Sequence, residues 1–119
     1  MARPLSSHER MVIKKMVSAT DRADYFIEKI PFYRVENMND GGMGSLKFIN
    51  ADGKECLVGE NLIVASFFDT DGVLVYVFID LDERGEISEL DVWKTDFSPL
   101  NSYPETEDEI EIFTGEDCY

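Results

Sequence analysis

The sequence predicts an α+β domain, two N-terminal helices packed on a mainly antiparallel sheet of about five to six strands. Three observations carry that prediction. Helical spacing of apolar residues is confined to the chain before Pro31. After Pro31, short apolar runs alternate with Asp-Gly turns at hairpin spacing. Two of those runs, Leu62–Phe68 and Val73–Ile79, are almost continuously apolar, as expected of central strands covered on both faces.

Ser6 or Ser7 can cap the first helix, with Glu9 or Arg10 in its first turn. Val12, Ile13, Met16 and Val17 form its apolar stripe, with Lys14 and Lys15 on the opposite face. Thr20 can cap a second helix, in which Asp21 and Asp24 favour the N-terminal end. Ala23, Phe26, Ile27 and Ile30 follow the i, i+3, i+4, i+7 spacing, and Pro31 ends the run. Strands are then expected over Phe32–Met38, Gly44–Asn50, Glu55–Val58, Leu62–Phe68, Val73–Leu81 and Glu86–Trp93. Asn39 to Gly42, Asp52-Gly53, Asp71-Gly72 and Arg84-Gly85 supply the turns. Residues 1–102 read as one domain, and residues 103–119 as an acidic tail of the same domain. Within the tail, Glu109 to Phe113 alternates acidic and apolar residues, the pattern of an edge strand or of a segment that pairs with a partner.

Charge is distributed unevenly. The 119 residues carry 25 acidic and 11 basic side chains, a formal charge of -14. Residues 1–30 hold six basic and four acidic side chains, whereas Tyr103 to Tyr119 hold seven acidic and no basic ones. Such a field repels nucleic acid and anionic membranes and attracts basic proteins. The first residues lack the apolar run of a signal peptide, and no segment approaches a membrane span. Cys56 and Cys118 lie far apart and do not form a disulfide framework, so a cytoplasmic protein is expected.

Catalytic motifs are scarce. The single histidine, His8, sits in a helix-cap region without a nearby nucleophile, and no strand-GxxxxGK[ST]-helix phosphate loop is present. Neither cysteine has a neighbour placed to activate it. The expectation is therefore a protein that is not an enzyme and carries no cofactor. The segment Asp80 to Asp91 has carboxylates at positions 1, 3 and 12 of an EF-hand loop (Asp80, Asp82, Asp91) and Gly85 at position 6. Arg84 stands where an oxygen ligand belongs, and the flanks read as strands, so a hairpin turn is favoured over a Ca2+ loop.

The segment Glu89 to Leu100 holds the only tryptophan. Leu90 and Val92 share one face of a strand, and Asp91 and Trp93 the other. Trp93 reads either as a binding anchor or as a cover for the sheet edge, with Phe97 and Leu100 closing the core. Asp40-Gly41-Gly42-Met43-Gly44-Ser45, Asp71-Gly72-Val73 and Glu89 to Leu100, with Arg3-Pro4-Leu5 and Glu9, resemble a bacterial family of small domains without an assigned activity. By size, acidity and α+β build, the chain is also similar to cytoplasmic immunity proteins of toxin–immunity systems, including contact-dependent inhibition. That second resemblance implies a basic toxin domain, such as a nuclease, as partner. The residues expected to meet it are Glu105, Glu107, Asp108, Glu109, Glu111, Glu116 and Asp117, with Trp93 as anchor. A small ligand- or Ca2+-binding regulatory domain is the alternative reading, and a monomer or weak homodimer the expected state.

Overall fold

The computed structural model describes residues 2–49 and 58–113, with no side-chain description for Val58 and Gly59. The helical stripe becomes α1, Ser7–Val17. Its N-terminus is closed by a capping box in which Ser6 Oγ accepts from Glu9 N–H and Glu9 Oε1 accepts from Ser6 N–H. Val12, Ile13, Met16 and Val17 are buried, as their spacing requires. The second helix, α2, runs over Ala23–Lys29 and starts later than the Thr20 cap implied. Thr20 donates its hydroxyl proton back to the Val17 carbonyl, which commits it to the end of α1. Pro31 falls inside a 3-10 turn, Ile30–Phe32, and leaves Phe32 80% exposed instead of starting a strand.

One antiparallel sheet of seven strands completes the fold. The strands are β1 (Arg3–Pro4), β2 (Arg34–Asn37), β3 (Leu46–Ile49), β4 (Val58–Phe68), β5 (Leu74–Asp82), β6 (Ile87–Lys94) and β7 (Glu111–Phe113). Their order across the sheet is β1-β2-β3-β6-β5-β4-β7. β1 is too short to leave a periodic signal. It is held at the sheet edge by Arg3, whose guanidinium forks onto the Glu9 carboxylate at 2.8 and 2.9 Å. Val58 belongs to the same strand as Leu62–Phe68. Register shifts near Gly59 and Leu62 show where that long strand is bulged.

Alternation sorts the sheet into two faces. Val35, Leu46, Phe48, Ile63, Ala65, Phe67, Val75, Val77, Ile79, Leu81, Leu90 and Val92 point inward and share one core with the stripe of α1 and with Phe26. Both helices lie on that side. No described helix lies on the other face, where Val64 and Ser66 are nevertheless buried and Tyr76 and Phe78 half-buried.

Lys94 continues the inward series of β6 and is 1% exposed. Its ammonium donates to Asp69 Oδ2 (2.9 Å), Asp71 Oδ2 (2.6 Å) and the Pro99 carbonyl (3.1 Å). Asp69, also buried, accepts backbone N–H bonds from Thr70 (2.6 Å), Asn101 (2.8 Å) and Ser102 (3.2 Å). Burial pushes the Asp69 carboxyl's pKa up, but Lys94 and these N–H donors outweigh it and bring the value down to about 2. The β4–β5 turn, the end of β6 and the loop after it are thereby pinned at one point.

Lys94→Met leaves Asp69 buried without its counter-ion and should destabilise the fold by roughly 3–5 kcal/mol. The measurement is the urea midpoint, and a loss below about 1 kcal/mol would show that the pair does not hold this end. The pH dependence has a definite sign. The folded pKa of Asp69 lies below its ordinary 3.8, so its stabilisation is complete above that value and fades as pH falls toward about 2. The Tm gap between wild type and Asp69→Asn should accordingly narrow on acidification from pH 5 to pH 2. Parallel curves would refute the assignment.

Candidate functional site

The face of the sheet opposite the helices can be read row by row from the register. One row runs Glu111, Ser66, Tyr76, Trp93 across β7, β4, β5 and β6. The next runs Phe113, Val64, Phe78, Asp91. A third runs Asn61, Asp80, Glu89, Lys47, Glu36 and extends through β3 to β2. The first two rows are aromatic at their centre, and the third is charged.

The rings touch. Trp93 stacks on Tyr76 at 5.6 Å between centroids with 26° between planes. Tyr76 also meets Phe113 at 6.3 Å and Phe78 at 6.4 Å, and Trp93 meets Phe97 at 6.3 Å. Phe68 and Phe97 are each 69% exposed and Trp93 is 38% exposed. Trp93 and Phe97 thus present touching rings to water, a feature that marks interaction sites on soluble domains. Trp93 is therefore neither at an edge nor part of the core, since β6 is the middle strand of seven. Leu100 packs against the core as expected. Phe97 does not, because a left-handed backbone (φ 64°) turns it out beside Trp93.

Carboxylates border the rings. Glu111 closes the first row, Asp91 the second, and Asp80 with Glu89 occupies the third. Partial burial, then repulsion from Asp91 and Asp80, raises the Glu89 pKa, with Lys47 opposing. Burial likewise raises that of Asp91, where Asp80 and Asp40 add repulsion and the Ser45 hydroxyl opposes. Each carboxylate gains from a positive charge placed beside it.

The tail acids are placed elsewhere. Glu105, Glu107, Asp108 and Glu109 surround a 3-10 turn, Glu107–Glu109, that lies beside α1 on the helix side. Glu105 is 3.6 Å from His8. Glu107 borders a cleft with Arg10 and Lys14. The Glu109 carboxylate accepts from the N–H groups of Glu105 and Thr106, closing that turn. Of the described tail acids, Glu111 alone shares the face of Trp93. Glu116, Asp117, Cys56 and Cys118 lie outside the described residues.

Asp80, Asp82 and Asp91 do not converge as an EF-hand requires. They sit on a hairpin, β5 and β6, where Asp82 is buried and its Oδ1 accepts from the N–H groups of Arg84 (2.8 Å) and Glu86 (3.0 Å). Gly85 supplies the left-handed residue that this turn needs (φ 81°). Among the described residues no group of three or more His, Cys, Asp or Glu side chains is placed to hold a metal. No helix among them is long and apolar enough to cross a membrane.

The motifs noted in the sequence meet at the Lys94 end of the sheet. Asp40 accepts N–H bonds from Met43 (3.2 Å) and Ser45 (2.9 Å), shaping the turn before β3. Ser45 Oγ accepts from Val92 N–H at 2.9 Å, tying that turn to β6. Leu100 N–H donates to the Gly42 carbonyl at 3.0 Å. A Cβ on Gly44 (φ 102°) would meet the Tyr103 hydroxyl at 3.2 Å, so glycine is required there for space and for conformation. The motifs are thus accounted for by architecture: they weld the 39–45 turn, the 69–73 turn and the 96–103 loop together.

A family model for a domain of unknown function (DUF6984) matches residues 2–104, and the chain belongs to that family. No curated protein and no solved structure matches it. The matched region contains the whole weld and the β5 and β6 parts of the aromatic face. It stops short of β7 and of the tail acids from Glu105 onward.

Sequence reading singled out Trp93 and Glu111 on this face but missed Tyr76, Phe78 and Phe113. The signal for the first two was present, since Tyr76, Phe78 and Asp80 alternate with Val75, Val77 and Ile79. With one tryptophan in the chain, fluorescence reports on the face directly. Trp93 emission should be accessible to acrylamide, and Phe97→Ala should increase the quenching. An indole that acrylamide does not reach would mean the face is covered.

Proposed function

We propose that this chain is a binding protein that performs no chemistry, an immunity protein that neutralises a basic toxin domain by occluding it. The observation that carries the reading is the aromatic sheet face bordered by Asp80, Glu89, Asp91 and Glu111 in a chain of charge -14. Interfaces concentrate their energy in a few aromatic anchors surrounded by a polar rim, and an acidic rim selects a basic partner. Trp93 is the central anchor. The tail acids Glu105, Glu107, Asp108 and Glu109 act at longer range, steering the encounter without entering the contact.

The test is capture from the native bacterium at low salt, with wild-type protein and with Trp93→Ala in parallel. One basic protein retained in stoichiometric amount, released as salt rises and lost with Trp93→Ala, is the expected result. That protein's toxicity, and protection from it by this chain, then follow in a growth assay. Retention of nothing, or equal retention by both, sinks the reading. Replacing Glu105, Glu107, Asp108 and Glu109 with Gln should slow association about ten-fold or more and flatten its salt dependence while leaving dissociation nearly unchanged.

A further inference from the structure

The boundary between the aromatic and acidic halves of the open face runs through β6. Glu89, Asp91 and Trp93 project from it in succession, so Asp91 stands about 7 Å from Trp93, one pleat along the strand. Across the ladder, Asp91 lies opposite Phe78 and Trp93 opposite Tyr76. The Asp91 carboxylate is thus placed next to the rings on two sides. Its hydrogen-bond partner is the Ser45 hydroxyl at 3.3 Å, whose single proton is shared with the Val92 carbonyl, also at 3.3 Å. Glu89 lies opposite Lys47 in the β3–β6 ladder, whereas the charges acting on Asp91 are the like ones of Asp80 and Asp40.

We infer that Trp93 and Asp91 together form a seat for an arginine of the partner. The guanidinium plane lies on the exposed part of the indole, and its N–H fork donates to the Asp91 carboxylate, with Glu89 beside it. The inference rests on the binding reading above and specifies which cation that face takes. Arginine fits where lysine does not. Its flat, weakly hydrated cation stacks on an aromatic ring and still directs two parallel donors sideways at a carboxylate. A lysine ammonium is compact, strongly hydrated and cannot serve both surfaces at a separation of about 7 Å. Burial is the main reason that the Asp91 pKa is raised, and the repulsion from Asp80 and Asp40 that adds to it is relieved by the incoming charge.

Capped peptides of four arginines and of four lysines, equal in charge, test the seat against the full-length protein at low salt. Trp93 emission and calorimetry are the readouts. The arginine peptide should bind about five-fold or more tightly than the lysine peptide and should perturb Trp93 emission. The preference should vanish in Asp91→Asn, and in Trp93→Leu when followed by calorimetry. Both are exposed positions, and the Tm of each variant checks that the fold is intact. Equal affinity for the two peptides, no binding of either, or a preference that survives Asp91→Asn overturns the seat. Failure of the wider binding reading is a different result, a native partner whose capture is indifferent to Trp93→Ala.

Discussion

The rest of the structure depends on one buried cation. Lys94 occupies an inward position on the middle strand, where its neighbours Val92 and Leu90 meet the hydrophobic core. A charge there is tolerable only with its counter-ions in contact, so Asp69 and Asp71 must be delivered by the β4–β5 turn and the Pro99 carbonyl by the following loop. Those demands fix the register of β5 on β6 and the path of residues 96–102. They also decide the outer surface. With Lys94 pointing in, strand alternation turns Trp93 out, and the return of the loop toward Pro99 leaves Phe97 beside it.

The two layers treat charge in different ways. On the helix side, the acids of residues 105–109 come back beside the first helix, which carries His8, Arg10 and Lys14, so the imbalance along the chain is partly compensated in space. On the open face, Asp80, Glu89 and Asp91 crowd one another with Lys47 as the nearby cation. Linear charge counting points to the tail. Folding shifts the electrostatic weight toward the centre of the sheet, where the aromatic rings are.

Much of the architecture was legible in the sequence because it rests on local rules. The stripe of α1, its Ser6 cap and the turns at Asp71-Gly72 and Arg84-Gly85 follow from periodicity and turn chemistry. What was not legible depends on distant partners. Arg3–Pro4 is held on β2 by the bonds of Arg3 to Glu9 and Asn37, and nothing local announces a two-residue strand. The apolar run of β5 suggested burial on both faces. Its aromatic half, Tyr76 and Phe78, instead faces away from the described helices and is half-buried. Trp93 was visible as a residue, but its surroundings come from Tyr76, Phe78 and Phe113, brought together by three separate pairings. The Asp40–Ser45 and Glu89–Leu100 motifs were recognisable without being explicable. Their hydrogen bonds run to each other and to Lys94's loop, contacts that no single segment reveals.

The strand order also carries a kinetic consequence. β4, β5 and β6 form a meander of sequential hairpins, whereas β1, β2 and β3 form a second block joined to it by the Leu46–Leu90 and Lys47–Glu89 pairs and by the bonds that the 39–45 turn makes to Val92 and Leu100. Joining the blocks closes a loop of more than forty residues, an entropic cost that local hairpins avoid. The meander is therefore the natural nucleus, and docking of the first block is the late step.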